Sequence, residues 1–574
     1  MTWIAVFFLA VLPVGVLAWK TALGRRLFAS RSTRRVGFGL GIAALLLAMP
    51  WQGVSFDLLK HTKMLFALAV ALLFALHRLR PLKTRRLHLV LGLIAALAGL
   101  NYVNYFAFHG ERIFVHWHDV AHYYLGSKYY AELGYTDLYT AMLRAEAENH
   151  ENRFKAVEAR DLKTYKRVHV RELLRQSEPV KARFGDDRWL QFRLDVEYFR
   201  SRLDSQYGKV LLDHGFNPTP VWALGGGQVA SQVPAGSADG IFLISLLDPL
   251  LLLLTFAVVF RTFGLRAGLL TMIFFFTVFG SSFGWVGGAF LRYPWFFGVV
   301  GGFCALKARR YGVAGTLFAV ATMLRVFPAF FVAPLAAKGL WTLIRRVRAR
   351  ARRPEHLGYR PFGYWLPSRY LRFGVAFAVT CAALFASTAL LPRGLSHWTE
   401  FRDNMELHVR NIAPNVVGVT EVAAHGWTRQ GMVTEDEFEA LKVRRYRIHQ
   451  TLQGALFFPL CGAVLWAARR RSDLDAVLLG LPLLLVGLSL AAYYYAFLVL
   501  LVIRFRDDAG RLALIFGVEA LSFALRLFEP SDGRLFVYRA IALFWLYVAL
   551  WIAEQRGHGP GTDVDTGSLP GRAL

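Results

Sequence analysis

Apolar residues in this chain fall into long runs separated by short, arginine-rich connections. A membrane helix needs about 20 mostly apolar residues, within a range of about 17–25. Candidate runs lie at positions 4–19, 36–51, 56–76, 89–108, 241–259, 269–284, 293–306, 313–324, 327–344, 373–391, 452–468, 476–492, 494–503, 512–528 and 535–552. The pattern predicts an all-α polytopic membrane protein with about 13–15 transmembrane helices. Two close pairs, at 313–344 and 476–503, each read as two helices or one bent one. The first run lacks a basic leader and a small-residue cleavage site, so it reads as a retained helix.

Two polar stretches interrupt the runs. Residues 109–240 mix both charge signs and predict a helical, partly amphipathic subdomain resting on the membrane surface. Residues 392–451 form a second external segment. The predicted organisation is N-terminal membrane helices (1–108), the first external subdomain, central membrane helices (241–391), the second external segment, C-terminal membrane helices (452–553) and a disordered cytoplasmic tail (554–574). No internal repeat is visible, inverted or otherwise.

Composition sharpens this picture. Hydrophobic residues make up 55% and charged residues 18%, with a net charge of +28, where a soluble domain has about 25% charged residues. In a soluble protein such a basic excess would point to nucleic acid. Here the cations sit between apolar runs, at Arg25–Arg35, Arg78–Arg86, Arg261/Arg266, Lys307–Arg310, Arg345–Arg372, Arg469–Arg471 and Arg504–Arg511, so membrane lipids and not nucleic acid are the expected partner. If the runs alternate as numbered, with both close pairs split, every cluster falls on one side, which the positive-inside rule makes cytoplasmic. Both polar stretches are then extracytoplasmic. Cys304, Cys381 and Cys461 all lie in apolar segments, so no disulfide framework or CxxC site is present.

Candidate chemistry collects at the start of the first external stretch, His116-Trp117-His118-Asp119 followed by His122 and Tyr123. A carboxylate just above the bilayer can take a proton from a bound hydroxyl, and neighbouring histidines can tune it or orient a substrate. Asp119 reads equally as a helix N-cap. His118 and His122 stand at i, i+4 and share a helix face, but the stretch lacks HExxH spacing, and a metal site is not favoured. Arg292 and Arg325 lie at the outer ends of their runs, against the cytoplasmic bias of the other cations. They read as snorkelling anchors or as a bidentate grip on a lipid phosphate. Asp248, within the run 241–259, reads as structural, as do Glu519 and Arg526. His408, Asn411 and Asn415 supply donors and acceptors suited to sugar hydroxyls, or form an ordinary polar loop. Tyr493, Tyr494 and Tyr495 read as an interfacial aromatic belt, with Tyr494 also placed to line a sugar pocket.

Four segments carry a resemblance to a known family. They are Asp119–Tyr139 (DVAHYYLGSKYYAELGYTDLY), Asn217-Pro218-Thr219-Pro220-Val221-Trp222, Tyr311–Pro334 (YGVAGTLFAVATMLRVFPAFFVAP) and the tyrosine cluster at 493–495. Together they resemble the GT-C superfamily of membrane glycosyltransferases, and most of all its bacterial polyprenyl-phosphate-mannose-dependent group, glycosyltransferase family 87. The chain departs from that pattern in three places: no second acid adjoins Asp119, Arg325 replaces a common lysine, and the aromatic cluster lacks a histidine. The resemblance implies a GT-C-like fold in a bacterial plasma membrane. It also implies inverting transfer of a sugar such as mannose from a polyprenyl-phosphate donor to an extracytoplasmic glycan or lipid acceptor, with no cofactor. Asp119 would be the general base. Arg325 and Arg292 would stabilise the departing phosphate. The competing readings are a lipid or solute transporter, which would gather ionisable residues near the midplane, and a non-catalytic scaffold, in which Asp119 would be replaceable.

Overall fold

The computed structural model describes residues 53–351, 367–410, 415–425, 435–529 and 532–557. The expected first two membrane runs, the tail beyond 557 and Asn411 lie outside them. The described chain is mostly helical. Its principal helices are α1 (Phe56–Leu79), α2 (Thr84–Tyr102), α3 (Trp117–Lys128), α4 (Leu138–Asn149), α5 (Asp186–Leu203), α6 (Pro220–Ser231), α7 (Ala238–Phe263), α8 (Leu265–Thr277), α9 (Pro294–Lys307), α10 (Tyr311–Arg325), α11 (Ala329–Ala351), α12 (Ser368–Ser387), α13 (Ser396–Arg410), α14 (Glu435–Ala468), α15 (Ala492–Arg504), α16 (Ala509–Ala524) and α17 (Asp532–Gly557). Sheet is confined to two short antiparallel pairs, β1 (Glu158–Arg160) with β2 (Arg167–His169) and β3 (Val416–Val417) with β4 (Leu490–Ala491).

α1 shows why such helices form and where they belong. Ser55 accepts the Leu58 N–H as its N-cap, Asp57 sits in the first turn and Arg78 in the last, so both ends suit the helix dipole. Phe66, Val70 and Phe74 face the interior, while Leu65, Leu68, Leu72, Leu76 and Leu79 make an exposed stripe at helical spacing. In water, that stripe would forfeit about 25 cal/mol for every Å² of apolar area left uncovered. Lipid removes the cost. Leu250, Leu253 and Leu254 on α7 are exposed in the same way. This is an all-α membrane protein.

Among the described residues, four helices are long and apolar enough to cross a membrane alone, α1, α7, α12 and α17. A fifth crossing appears if the two arms of α14, bent by 48° near residue 452, count as one. The larger expected number treated every apolar run as a full span. Among the described residues, α8, α9, α10 and α15 are apolar but shorter. α9 has 14 residues, about 21 Å of helix against a hydrocarbon core of about 30 Å, and nearly all of it is buried among its neighbours. Periodicity cannot separate a lipid-facing span from a helix sheathed in protein.

Both ambiguous pairs are divided. α10 and α11 part at Val326, whose φ of +42° is foreign to a β-branched residue. The run 476–492 is two short helices, Asp473–Leu478 and Gly480–Gly487, followed by β4. α14 carries the expected external stretch after Glu435 into the membrane run without a loop, so the boundary drawn at 451 falls inside one helix.

Ion pairs order the helix ends. α1 and α16 lie antiparallel, with Arg78 against Gly510 and Asp57 paired to Arg526. On the Arg78 side lie Arg266–Asp507, Arg504–Asp475 and Lys338–Asp473. The described basic clusters thus gather at one end of the bundle. The opposite ends of α7, α9 and α10 meet beneath residues 109–240. That stretch has its own core, built from Tyr124, Tyr129, Tyr139, Phe192, Phe199 and Phe216 among others.

Candidate functional site: a carboxylate between two arginines

α3 begins the external subdomain, and its start is fixed by the loop that precedes α9. The His116 N–H donates to Gly288 O at 2.9 Å, and His116 Nε2–H donates to Gly284 O at 3.2 Å. This leaves Nδ1 to accept the Asp119 N–H at 3.1 Å. His116 is therefore the N-cap, not Asp119, and the capping reading of Asp119 is replaced. Burial pushes the His116 imidazole down to about 4, keeping it in the neutral form an acceptor needs. Gly288 has φ +64°, and a side chain there would strike the carbonyl of Phe114.

Freed from capping, the Asp119 carboxylate turns to Arg292, with Oδ1 3.1 Å from the guanidinium. The two side chains are 9% and 10% exposed. Arg292 also bonds the Tyr123 hydroxyl, lies 4.3 Å above the Tyr123 ring and sits 5.1 Å from that of Tyr493. A side chain held this way does not snorkel. Asp248 locks it from behind: Oδ2 and Oδ1 accept the backbone N–H groups of Arg292 and Tyr293 at 2.8 and 2.9 Å. The structural role expected of Asp248 is thus to set the guanidinium in place. Leu291, one residue earlier, takes φ +52°. Both arginines of the site adjoin a strained residue, Leu291 and Val326, as often occurs where backbone is bent to aim a side chain.

Arg325 ends α10, its guanidinium 5.9 Å from the Tyr123 ring. Among the described residues no carboxylate pairs with it. The Asn217–Trp222 segment pins this corner. Thr219 caps α6, its hydroxyl donates to Met323 O at 2.7 Å, and the Trp222 indole donates to Leu291 O at 3.0 Å. Tyr494 packs on Trp295 and Phe327, at 5.3 and 5.0 Å between ring centres. The cluster around Tyr123 therefore holds two cations and one carboxylate, and one oxygen of that carboxylate, Asp119 Oδ2, is buried with no hydrogen-bond partner.

The other sequence candidates lie around this centre or apart from it. His118 Nε2 is 2.9 Å from Asp213 Oδ2, and His122 Nε2 is 2.6 Å from the Tyr139 hydroxyl. His408, on α13, reaches the Tyr165 hydroxyl at 3.4 Å and faces the His214 ring at 5.6 Å. Asn415 contributes its backbone: its carbonyl accepts the Ala492 N–H at 2.9 Å, next to the β3–β4 pair. A polar cleft of about 660 Å³ opens between residues 131–137 and α13, lined by Glu132, Asp137, Arg183, Arg393, Glu400 and Asn404. Phe216 packs against Tyr135 of that cleft and against Tyr123 of the arginine pocket.

Sequence reasoning missed Asp213 and Tyr493 as partners. Tyr493 lay within the noted tyrosine cluster, but nothing local tells which of three adjacent rings meets a guanidinium. No family model matches this chain, and no curated protein or solved structure matches it either.

Proposed function

We propose that this protein is a membrane glycosyltransferase of GT-C-like architecture, with about 13–15 transmembrane helices, that moves a sugar from polyprenyl phosphate to a glycan or lipid acceptor. The observation that carries the reading is the buried cluster in which Asp119, with one oxygen free, lies beside Arg292 and the acid-free Arg325. Two guanidiniums against one carboxylate leave an excess positive charge in a poorly solvated place, which an anionic headgroup neutralises. The site end of the helices lies opposite the basic clusters, which under the positive-inside rule favours a reaction on the extracytoplasmic face; a bacterial plasma membrane is what the family resemblance implies.

In this mechanism Asp119 Oδ2 takes the proton of the acceptor hydroxyl. The hydroxyl oxygen attacks the anomeric carbon as the bond from that carbon to the phosphate oxygen breaks. The electron pair leaves with polyprenyl phosphate, and the anomeric configuration inverts. Arg325, with Arg292, meets the charge growing on the phosphate from positions fixed beforehand. The polar cleft beyond Phe216 suits a hydroxyl-rich acceptor.

A transporter would use unpaired ionisable groups in the membrane. Lys63, Glu519 and Arg539 are buried there, but each is satisfied. Lys63 bonds Ser281 O, while Glu519 bonds both Arg539 and the Phe279 N–H. These contacts serve packing.

The test is transfer of labelled sugar from polyprenyl phosphate in proteoliposomes. Asp119→Asn keeps the shape of the side chain and loses the base, so its rate should fall by about 10²–10⁴-fold. Full activity in a properly inserted Asp119→Asn protein would remove Asp119 from the chemistry, and absence of transfer by the parent protein would leave the scaffold reading.

A further inference from the structure

The two histidines one turn apart on α3 acquire a third companion only through the fold. Asp213 follows the short helix Tyr207–Leu211, and its carboxylate, His118 and His122 each offer one ligand atom within 4.8 Å of the others. His122 is buried and the other two are partly exposed. His122 Nδ1–H donates to His118 O at 2.9 Å, which leaves the lone pair on Nε2. In this structure Nε2 accepts the Tyr139 hydroxyl proton at 2.6 Å and lies 3.1 Å from Val210 O, while the Tyr139 oxygen accepts the Gly215 N–H at 3.0 Å; an ion on Nε2 takes the place of that O–H. On the other flank, Asp213 Oδ1 accepts the His214 N–H at 2.7 Å, which holds the carboxylate in its present direction.

We propose that His118, His122 and Asp213 bind a single transition-metal dication of the zinc class. Two imidazoles and one carboxylate are the donor set that borderline cations such as Zn²⁺, Co²⁺ and Mn²⁺ take, and a poor set for Mg²⁺ or Ca²⁺, which prefer oxygen. The supporting contacts have the pattern of metal sites: His122 Nδ1–H spends its proton on a backbone carbonyl, which fixes the tautomer and leaves Nε2 to the ion. The ion's place is next to the Asp119 pocket and not in it. It ties the first turn of α3 to the 210–217 turn, which continues into the Asn217–Trp222 segment that pins the end of α10. Asp119 and Arg325 would then be held at a fixed separation by one bond set, making the three ligands positioning residues. The stretch lacks HExxH spacing, so sequence did not favour a metal; the third ligand lies 95 positions from His118.

The experiment uses the full-length protein in detergent, stripped with a chelator and then titrated with Co²⁺, with zinc read separately by competition against a chromophoric chelator. The expected result is the intense visible absorption of low-coordinate Co²⁺, saturating at one ion per chain, together with a rise in Tm on adding Zn²⁺. Asp213→Asn and His122→Gln should each weaken binding by about tenfold or more, while His408→Gln, close by but outside the set, should bind as the parent does. A parent protein that gives only the spectrum of aqueous Co²⁺ and no shift in Tm overturns the proposal. Undiminished binding by the Asp213→Asn, His122→Gln double variant overturns it as well. Neither readout involves sugar transfer, so the site stands or falls independently of the proposed enzyme activity.

Discussion

Asp248 makes the residue-scale case that the arginine pocket is built rather than accidental. Its two oxygens serve two successive backbone N–H groups. Asp248→Asn keeps one acceptor and turns an amide N–H toward the other donor, leaving a buried N–H without a partner at a cost of about 1–3 kcal/mol. The expected outcome is a lower Tm in detergent and a raised KM for the lipid donor, because the backbone of Arg292 loosens; an unchanged Tm would show that the two bonds carry no weight. Residues of this centre were legible in sequence to the degree that they broke a local rule. Arg292 and Arg325 stood on the disfavoured side of the membrane, and Asp119 sat among histidines at the edge of an apolar run. Asp213 broke no rule that sequence exposes: it is an acid in a polar stretch, paired across 95 positions with His118. Asp248 stood out as an acid inside an apolar run, but nothing local named the backbone it holds. Their roles exist only once long-range contacts form.

Elements position these residues through close backbone approach and through ion pairs in the external subdomain. Gly288→Ala places a methyl group against Phe114 O at a left-handed φ, which costs about 1–3 kcal/mol in strain and separates His116 from the loop that carries Arg292. Transfer should fall while the helical circular dichroism stays unchanged; wild-type transfer would mean that the junction does not set the site. Farther out, Glu148 on α4 is held down to about 2 from an ordinary 4.5. Burial opposes this shift and is outweighed by Lys181, Trp189 and Arg144, which donate at 2.8, 2.9 and 2.7 Å. A carboxyl that titrates lower when folded lends stability that is full above about 4.5 and is lost as pH falls toward about 2. Hydrogen exchange across α4 and α5 should therefore quicken over that window, and Glu148→Gln should flatten the response. Helix positions were largely readable from apolar periodicity, since α1, α7, α10 and α17 lie close to the expected runs. The break at Val326 fell where the alternation of charge placed it, but the interruption within 476–492 did not show in the sequence, because it answers to packing, which intrinsic propensity does not encode.

For the whole molecule, the separation of charge is the governing feature. The described arginine clusters and their acidic partners gather at one end of the bundle, and the two arginines lacking a basic neighbourhood meet at the other. Sequence conveyed this polarity well, because the positive-inside bias is written in every loop. It left the number of crossings open, because short helices such as α9 are apolar where they lie buried among their neighbours. The central claim is that Arg325 and Arg292 receive an anionic lipid headgroup beside Asp119, and binding of polyprenyl phosphate to the purified protein tests it most directly. Wild type and Asp119→Asn should bind with similar affinity, Arg325→Ala should bind about tenfold more weakly for a loss of about 1.4 kcal/mol, and the uncharged polyprenol should not compete. Equal binding of polyprenyl phosphate by wild type and Arg325→Ala, or equal competition by the uncharged lipid, would contradict the account.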